Sequence, residues 1–378
     1  MRLEEYLLEL DVDYPREEFR GDLVLTAKDP PSPFALDCEG LSIHEVWAGD
    51  SPVPFRVDPG RQRLELEHAG SGLVRLRIRY SGQVGQKTLS GLYASRQSGR
   101  TYLTTMMEPV GCRRLLPCVD SPDHKAVFRL NVTTQADLTV ISNAPVAAVQ
   151  ERSGLRRWCF EPTPRMSTYL LYLGIGPFEL RTHGAGAVEL IAATPPGKSE
   201  QSQGCLEMGG PLLDGYSQYF GLPYPLPKLH LVAVPELGAG AMENWGAIAF
   251  SEIGLMLNDS TSPSIRRWIV ETMAHEIAHQ WFGNLVTMRS FTDIWLNESF
   301  ATFVAAKVTE RLGLREHPWS EFLIRIRGAY FSDSLESTHP IQLRSAEPAE
   351  IMQNVDEITY YKGAAVLRMI DAYLGEEN

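Results

Sequence analysis

Through roughly the first 180 residues, apolar and polar side chains alternate with the period of two that a half-buried strand requires. Leu8, Leu10, Val12 and Tyr14 interleave with Glu9, Asp11 and Asp13, and Pro15 ends the run. The pattern returns at Leu64 and Leu66, across Leu73, Val74, Leu76, Ile78 and Tyr80, and in Phe128-Arg-Leu-Asn-Val and Leu138-Thr-Val-Ile. Short strands separated by Gly/Pro/Asp turns predict an antiparallel β sandwich or saddle. No 20–50-residue repeat is present, so a solenoid or propeller is not expected. Near His183-Gly-Ala-Gly-Ala the pattern changes. A strand, Val188 to Ala193, leads into Thr194-Pro-Pro-Gly-Lys, and helical periods follow. The expected organisation is therefore α+β and multidomain, with a β domain over 1–182 and a mostly helical domain over 183–378.

Within the second domain, Leu231-Val-Ala-Val and Ala247-Ile-Ala-Phe read as short buried strands. Ser262-Pro263 has the form of an N-cap followed by proline at the first helical position. The helix it opens is expected to run until Gly283 stops it. Ile265, Trp268, Ile269, Val270, Met273, Ala274, Ile277, Ala278, Trp281 and Phe282 make it apolar nearly all round, so it should be buried. Further helices are expected at about 296–312 before Gly313, across Trp319 to Tyr330, and at about 359–374.

Composition narrows the class. The chain has 378 residues, 44% hydrophobic and 22% charged, which are globular values. A net charge of −12 repels polyanions, so neither nucleic acid nor an anionic membrane is an expected partner. No apolar run of about 18 residues occurs, and the first residues carry acids and no small-residue cleavage site, so a cytoplasmic protein is expected. The five cysteines, Cys38, Cys112, Cys118, Cys159 and Cys205, include no Cys-x-x-Cys pair and are expected to be free thiols. In that setting the Asn-x-Ser/Thr triplets at Asn131, Asn258 and Asn297 carry no weight.

Inside the buried helix lies His275-Glu276-Ile-Ala-His279. Residues four apart share a helical face, so both imidazoles can aim at one point. Neutral imidazoles are good Zn²⁺ ligands, and Glu276 sits beside that face as a candidate general base for a water whose pKa zinc lowers toward ~7. Read from this spacing alone, two core histidines remain the alternative, although burying two imidazoles and a carboxylate without a cation is costly. The metzincin pattern fails, because Phe282 and Leu285 stand where it needs Gly and His. A third ligand is offered by Glu298 in Trp295-Leu-Asn-Glu-Ser-Phe-Ala, separated from His279 by 18 intervening residues. By itself a Glu at a helix start is equally a dipole or capping residue.

The chain resembles the M1 zinc aminopeptidase family, which includes aminopeptidase N and leukotriene A4 hydrolase. The residues that carry the resemblance are His275-Glu-Ile-Ala-His-Gln-Trp-Phe-Gly-Asn284 with Glu298, and Gly240-Ala241-Met242-Glu243-Asn244, 30 residues upstream of the histidine pair. Weaker similarity extends over Pro164-Arg-Met-Ser-Thr-Tyr-Leu, Ser337-Thr-His-Pro-Ile and Tyr360-Tyr-Lys-Gly363. The resemblance implies a thermolysin-like catalytic domain behind the β domain. It also implies one Zn²⁺ on His275, His279 and Glu298, and peptide substrates with a free N-terminus.

The resemblance further implies roles that the residues alone leave open. A Gly-rich loop with one Glu is by itself an ordinary turn. In the family the segment Gly240–Asn244 binds substrate and its Glu, here Glu243, grips the α-amine, while Met242 would line the first side-chain pocket. An extended segment there can take the peptide as an added strand, with Gly238 and Gly240 letting backbones approach. Glu108, in Met106-Met-Glu-Pro109 before Cys118-Val-Asp-Ser-Pro122, aligns with the second amine anchor; read alone it is a solvated loop carboxylate. Tyr360 aligns with the family's oxyanion donor, with Tyr361 beside it as competitor, about 100° away on a helix. Glu271, one turn before His275, reads as a helix-surface charge or a support for the site. His44, His68, His124, His183, His230, His317 and His339 show no ligand spacing and are taken as structural.

Departures from the family pattern are Ser299 where a glycine follows Asn-Glu, the eroded Cys118–Pro122 stretch, and an end at Asn378 where relatives continue. The last points to a truncated catalytic domain without the helical domain that roofs the site. The expected activity is a zinc aminopeptidase. The alternatives are a leukotriene A4 hydrolase-like epoxide hydrolase, or a non-catalytic or weakly active peptide-binding relative. Gly-Ala-Met-Glu-Asn, in place of that hydrolase's Gly-Gly-Met-Glu-Asn, favours the aminopeptidase. Oligomeric state is not legible.

Overall fold

The alternating runs do form strands. The computed structural model describes residues 1–67, 70–345 and 347–375, so His68 lies outside the described residues. The chain divides into two compact units. One comprises Met1–Glu179 with Val234–Gly238 and Asn244–Ala247, and the other Leu180–Ala233, Ala239–Glu243 and Ile248–Asn378.

The first unit is built from a large sheet of eight strands and smaller sheets of four and three. Its first strand, Arg2–Asp13, begins six residues before the Leu8 start of the clean alternation. The reason is a bulge between Leu3 and Glu5, which slips the phase so that Leu3, Tyr6, Leu8, Leu10 and Val12 all face inward. Among the described residues the strands of this unit pair antiparallel except that Arg2–Asp13 lies parallel to Val127–Gln135, setting Tyr6 opposite Phe128 and Leu8 opposite Leu130, and that Gly85 makes an isolated parallel bridge to Tyr93. The Tyr6 and Phe128 rings stack at 5.0 Å across that pair. The expected antiparallel architecture thus holds apart from one central parallel contact. Cys38, Cys112 and Cys118 are buried in this unit, and all five cysteines are free.

The second unit carries a five-stranded sheet in the order Glu179–Ala185, Val188–Thr194, Lys228–Val234, Ala247–Ser251, Ala241–Met242. Among the described residues six α-helices accompany it: α1 (Gln203–Phe220), α2 (Pro263–His279), α3 (Ile294–Arg311), α4 (Pro318–Asp333), α5 (Pro348–Asn354) and α6 (Gly363–Leu374). The N-cap of α2 is as the sequence predicts, with Ser262 Oγ accepting from the Ile265 N–H. Its end is not. Regular α-helix stops at His279, four residues short of Gly283, and the next turn closes with Asn284 N–H donating to His279 O and Val286 N–H to Trp281 O. Gly283 has φ +121°, and a Cβ there would lie 2.2 Å from Asn297 Oδ1. The turn therefore leaves the helix to make room for a side chain of α3. Gly313, φ +66°, follows the end of α3.

The helix expected over 359–374 is in two parts, a π turn at Ile358–Lys362 and then α6. Among the described residues no helix is long and apolar enough to cross a membrane.

Candidate active site

All the groups that meet around the histidine pair belong to the second unit. The apolar residues of α2 seal it in the interior: Tyr216 of α1 donates its hydroxyl to Ala274 O at 2.6 Å, and Trp281 packs among Tyr216, Phe220 and Tyr224. A helix fixed this firmly presents His275 and His279 from one face. Their Nε2 atoms lie 2.9 Å apart. Glu298, in the first turns of α3, brings Oε2 to 3.1 Å from His275 Nε2 and 3.6 Å from His279 Nε2. A tetrahedral site with bonds of about 2.05 Å has ligand–ligand edges of about 3.3 Å, and these three separations bracket that value. The other ring nitrogens are held too. His279 Nδ1 faces Phe282 O at 3.0 Å and Asn297 Oδ1 at 2.9 Å, and His275 Nδ1 faces Thr302 Oγ1 at 3.4 Å. Because a carbonyl can only accept, Nδ1 of His279 carries a proton, which leaves Nε2 as the nitrogen that can face a metal. Such outer partners are what orient imidazole ligands of metals.

Glu276 lies beside the trio and is itself buried, and among the described residues its Oε2 has no hydrogen-bond partner. Burial pushes its carboxyl well above the usual range, opposed by His279 and reinforced by Glu243 and Glu298. For Glu298, burial acts upward but the His279 charge and the His275 hydrogen bond outweigh it, holding the carboxyl well below its usual range. Burial should also disfavour a charged His279, yet the surrounding Glu243 and Glu298 drive it well above the ordinary imidazole value. The pocket is strongly anionic and draws positive charge. Its donor set, two imidazoles and a carboxylate, suits zinc.

A cavity of about 220 Å³ opens on this cluster, lined among others by His275, Glu276, Tyr360, Gly240, Ala241 and Trp268. Ala241–Met242 forms the outermost strand of the five-stranded sheet, and among the described residues it pairs only with Ala247–Ser251, with no strand beside its other edge. Gly240 does not have a left-handed φ, and a Cβ placed there would have only Trp268 nearby, at 3.7 Å. The protein backbone does not demand a glycine here. What glycine leaves is open space over the strand edge. Met242 is buried and is not among the residues lining the cavity.

Glu243 is also buried. Its backbone carbonyl accepts from Gln280 Nε2 at 3.1 Å and Asn284 Nδ2 at 2.9 Å, and its carboxylate accepts from Asn297 Nδ2 at 2.8 Å. Asn244 belongs to the first unit, where it is buried with its amide 3.5 Å from the carbonyls of Leu170 and Leu171. Glu108 is likewise in the first unit, half-buried in the turn after the strand Arg100–Met106.

The π turn separates the two tyrosines. Tyr360 lays its ring on His275, centroids 5.7 Å apart and planes 28° apart, whereas Tyr361 packs edge-on against Phe322 under Arg325. Both border the cavity, and burial pushes the Tyr361 hydroxyl up to about 12. Glu271 also borders it, 3.8 Å from the buried Arg315. The residues that sequence reasoning missed are the amides Gln280, Asn284 and Asn297 and the hydroxyl of Thr302. Only proximity to the motifs could have flagged them.

Two family descriptions match the chain, the "Peptidase M1 N-terminal domain" over residues 3–170 and the "Peptidase family M1 domain" over residues 205–378. The chain is 41% identical over its whole length to a "Probable aminopeptidase 2" of Sulfurisphaera tokodaii, covering 48% of that protein. It is 38% identical, again over its whole length, to a "Leucyl aminopeptidase" of Saccharolobus solfataricus, covering 48%. To a "Tricorn protease-interacting factor F2" of Thermoplasma volcanium it is 42% identical over its whole length, covering 47%. The chain spans about half the length of the curated relatives it matches.

Proposed function

The chain belongs to peptidase family M1, and on that footing we propose that it acts as a zinc-dependent aminopeptidase, hydrolysing the first peptide bond of substrates with a free N-terminus. The observation that carries this reading is the convergence of His275 Nε2, His279 Nε2 and Glu298 Oε2 beside the unpartnered carboxylate oxygen of Glu276. Zinc held by those three side chains would supply Lewis-acid polarisation of a water and of the peptide carbonyl. The remaining work falls to the chain's own groups. Glu276 takes a proton at Oε2 from the attacking water and passes it to the departing amine nitrogen. The Tyr360 hydroxyl donates to the carbonyl oxygen as negative charge builds there. The free edge of Ala241–Met242 aligns the peptide backbone as an added strand. Glu243 receives the α-ammonium, with Glu108 as the second anchor that the family alignment implies.

That ammonium contact explains why only the first bond is cut. A charge-assisted hydrogen bond in a dry pocket rewards a free amine, and an internal residue has no such charge to offer. A non-catalytic binding protein is disfavoured by the same observation, because it would keep a buried, unpartnered Glu276 oxygen at a cost with no return. The test compares leucine p-nitroanilide with its N-acetyl derivative, alongside zinc content before and after dialysis against a chelator. One zinc per chain, a preference of about 100-fold or more for the free amine, and loss of turnover on chelation are expected. Equal turnover of both substrates, or turnover that survives metal removal, would refute the proposal.

A further inference from the structure

One side chain touches both halves of the proposed chemistry. We infer that Asn297 is a positioning residue that fixes the metal ligands and the amine anchor in a single arrangement. This rests on the zinc aminopeptidase reading.

The orientation of its amide follows from its neighbours. His279 Nδ1 must donate, because it also faces the Phe282 carbonyl at 3.0 Å, so the atom of Asn297 that lies 2.9 Å away is the acceptor Oδ1. The Nδ2 group then points at two carboxylates, Glu243 Oε1 at 2.8 Å and Glu298 Oε1 at 3.3 Å. Every consequence is directional. Accepting from Nδ1 leaves His279 Nε2 bare toward the metal position. Holding Glu298 by Oε1 leaves Oε2 for the same position. Holding Glu243 by Oε1 aims the amine anchor. Among the described residues the Glu243 carboxylate accepts from Asn297 alone, while its backbone carbonyl is fixed separately by Gln280 and Asn284. Gln280 and Asn284 therefore set where Glu243 begins, and Asn297 sets where its carboxylate ends.

Asn297 is itself nearly fully buried, so water does not compete for these bonds. Its place is made by the turn after α2, where a Cβ on Gly283 would stand 2.2 Å from Oδ1. The amide also lies between two buried carboxylates, and a group that donates to both is what allows them to sit side by side.

The inference separates cleanly by substitution. Asn297→Ala removes all three contacts. Asn297→Asp keeps an oxygen acceptor for His279 Nδ1 but turns a shared donor into a third acid facing Glu243 and Glu298. Two equilibrium readouts follow these variants without relying on turnover. The first is zinc affinity by chelator competition; the second is binding of L-leucinamide against N-acetyl-L-leucinamide to the zinc-loaded protein. Asn297→Ala should weaken zinc by about 10–100-fold. Asn297→Asp should hold zinc within about tenfold of native, yet lose the preference for the free amine as fully as Asn297→Ala. Thermal unfolding run in parallel reports whether each variant is folded, and the near-isosteric Asp variant serves if the Ala variant is not. Native discrimination retained in both zinc-loaded variants, or native zinc affinity in Asn297→Ala, would overturn the role of Asn297. A native protein that binds zinc but holds both amides equally would instead overturn the amine-anchor reading on which it rests.

Discussion

Replacing Glu276 by Gln exchanges one carboxylate oxygen of a buried side chain for an amide nitrogen and removes a proton acceptor with almost no change of shape. In the native chain this carboxylate is buried, borders the cavity beside His275 and lies within 4.8 Å of ligand atoms of His279 and Glu243, and among the described residues its Oε2 has no hydrogen-bond partner. A positioned general base contributes about 10²–10⁴ in rate. At about 1.36 kcal/mol per decade that is about 2.7–5.4 kcal/mol of barrier. Glu276 makes no hydrogen bond through Oε2 and is not among the three converging ligand atoms, so zinc stoichiometry should stay at the native value. Stability should not fall either, since a buried neutral amide costs less than a buried carboxylate beside Glu243 and Glu298. The assay is kcat/KM on leucine p-nitroanilide with zinc content and Tm measured on the same preparation. The expected pattern is a kcat loss of at least about 100-fold with zinc retained and Tm equal or higher. Activity within about threefold of native would refute the general-base role, and loss of zinc together with activity would show that Glu276 acts by holding the metal.

The two tyrosines give a paired prediction. Tyr360→Phe should lower kcat by about 10²–10³ with little change in KM, whereas Tyr361→Phe, whose ring packs on Phe322, should stay within about threefold; equal losses would contradict the assignment. In the first unit, hydrogen bonds from Arg77 hold the Asp22 carboxyl below its usual range, against burial and with help from Arg79. A depressed carboxyl contributes stability above its unfolded value, near 4, and loses it as pH falls through the folded value. Asp22 is half-buried but Arg77 and Arg79 keep about half of their side-chain surface in water, so Asp22→Asn should cost under about 1 kcal/mol at pH 7 in urea unfolding, with the difference shrinking as pH falls below about 4. A difference that grew on acidification would have the wrong sign.

The parts of this molecule that could be read from sequence are those where a local rule and the tertiary structure agree. The strand through Leu8, Leu10 and Val12 was legible because alternation survives there, and its start was hidden because the Leu3/Glu5 bulge breaks the period. Alternation says which face is buried but nothing about strand direction, so the parallel pairing of Arg2–Asp13 with Val127–Gln135 had no signal. The histidine pair was legible because a four-residue spacing on a helix is itself a geometry. The end of α2 was not, because Gly283 serves a clearance for Asn297 rather than a helix cap. Tyr360 and Tyr361 could be placed only by assuming 3.6 residues per turn, and the chain uses a π turn there, as helices often do at functional sites.

The first turns of α3 show why the site holds its shape. Successive residues on a helix point about 100° apart, so three in a row face three different neighbours. Asn297 faces His279 and Glu243, and Glu298 faces the histidine nitrogens. Ser299 faces the π turn, donating its hydroxyl to Thr359 O at 2.6 Å. A Cβ on Gly363 would stand 2.0 Å from that same hydroxyl oxygen, so the glycine is required for the approach. Ser299 is the position where the family pattern has glycine, and here its hydroxyl fastens the segment that presents Tyr360. Removing it would leave the Thr359 carbonyl buried without this donor, a loss of about 1–3 kcal/mol at one end of the turn. One helical turn thus joins the segments that bear the proposed amine anchor, metal ligands and oxyanion donor. Small displacements of α3 would therefore misalign all three together.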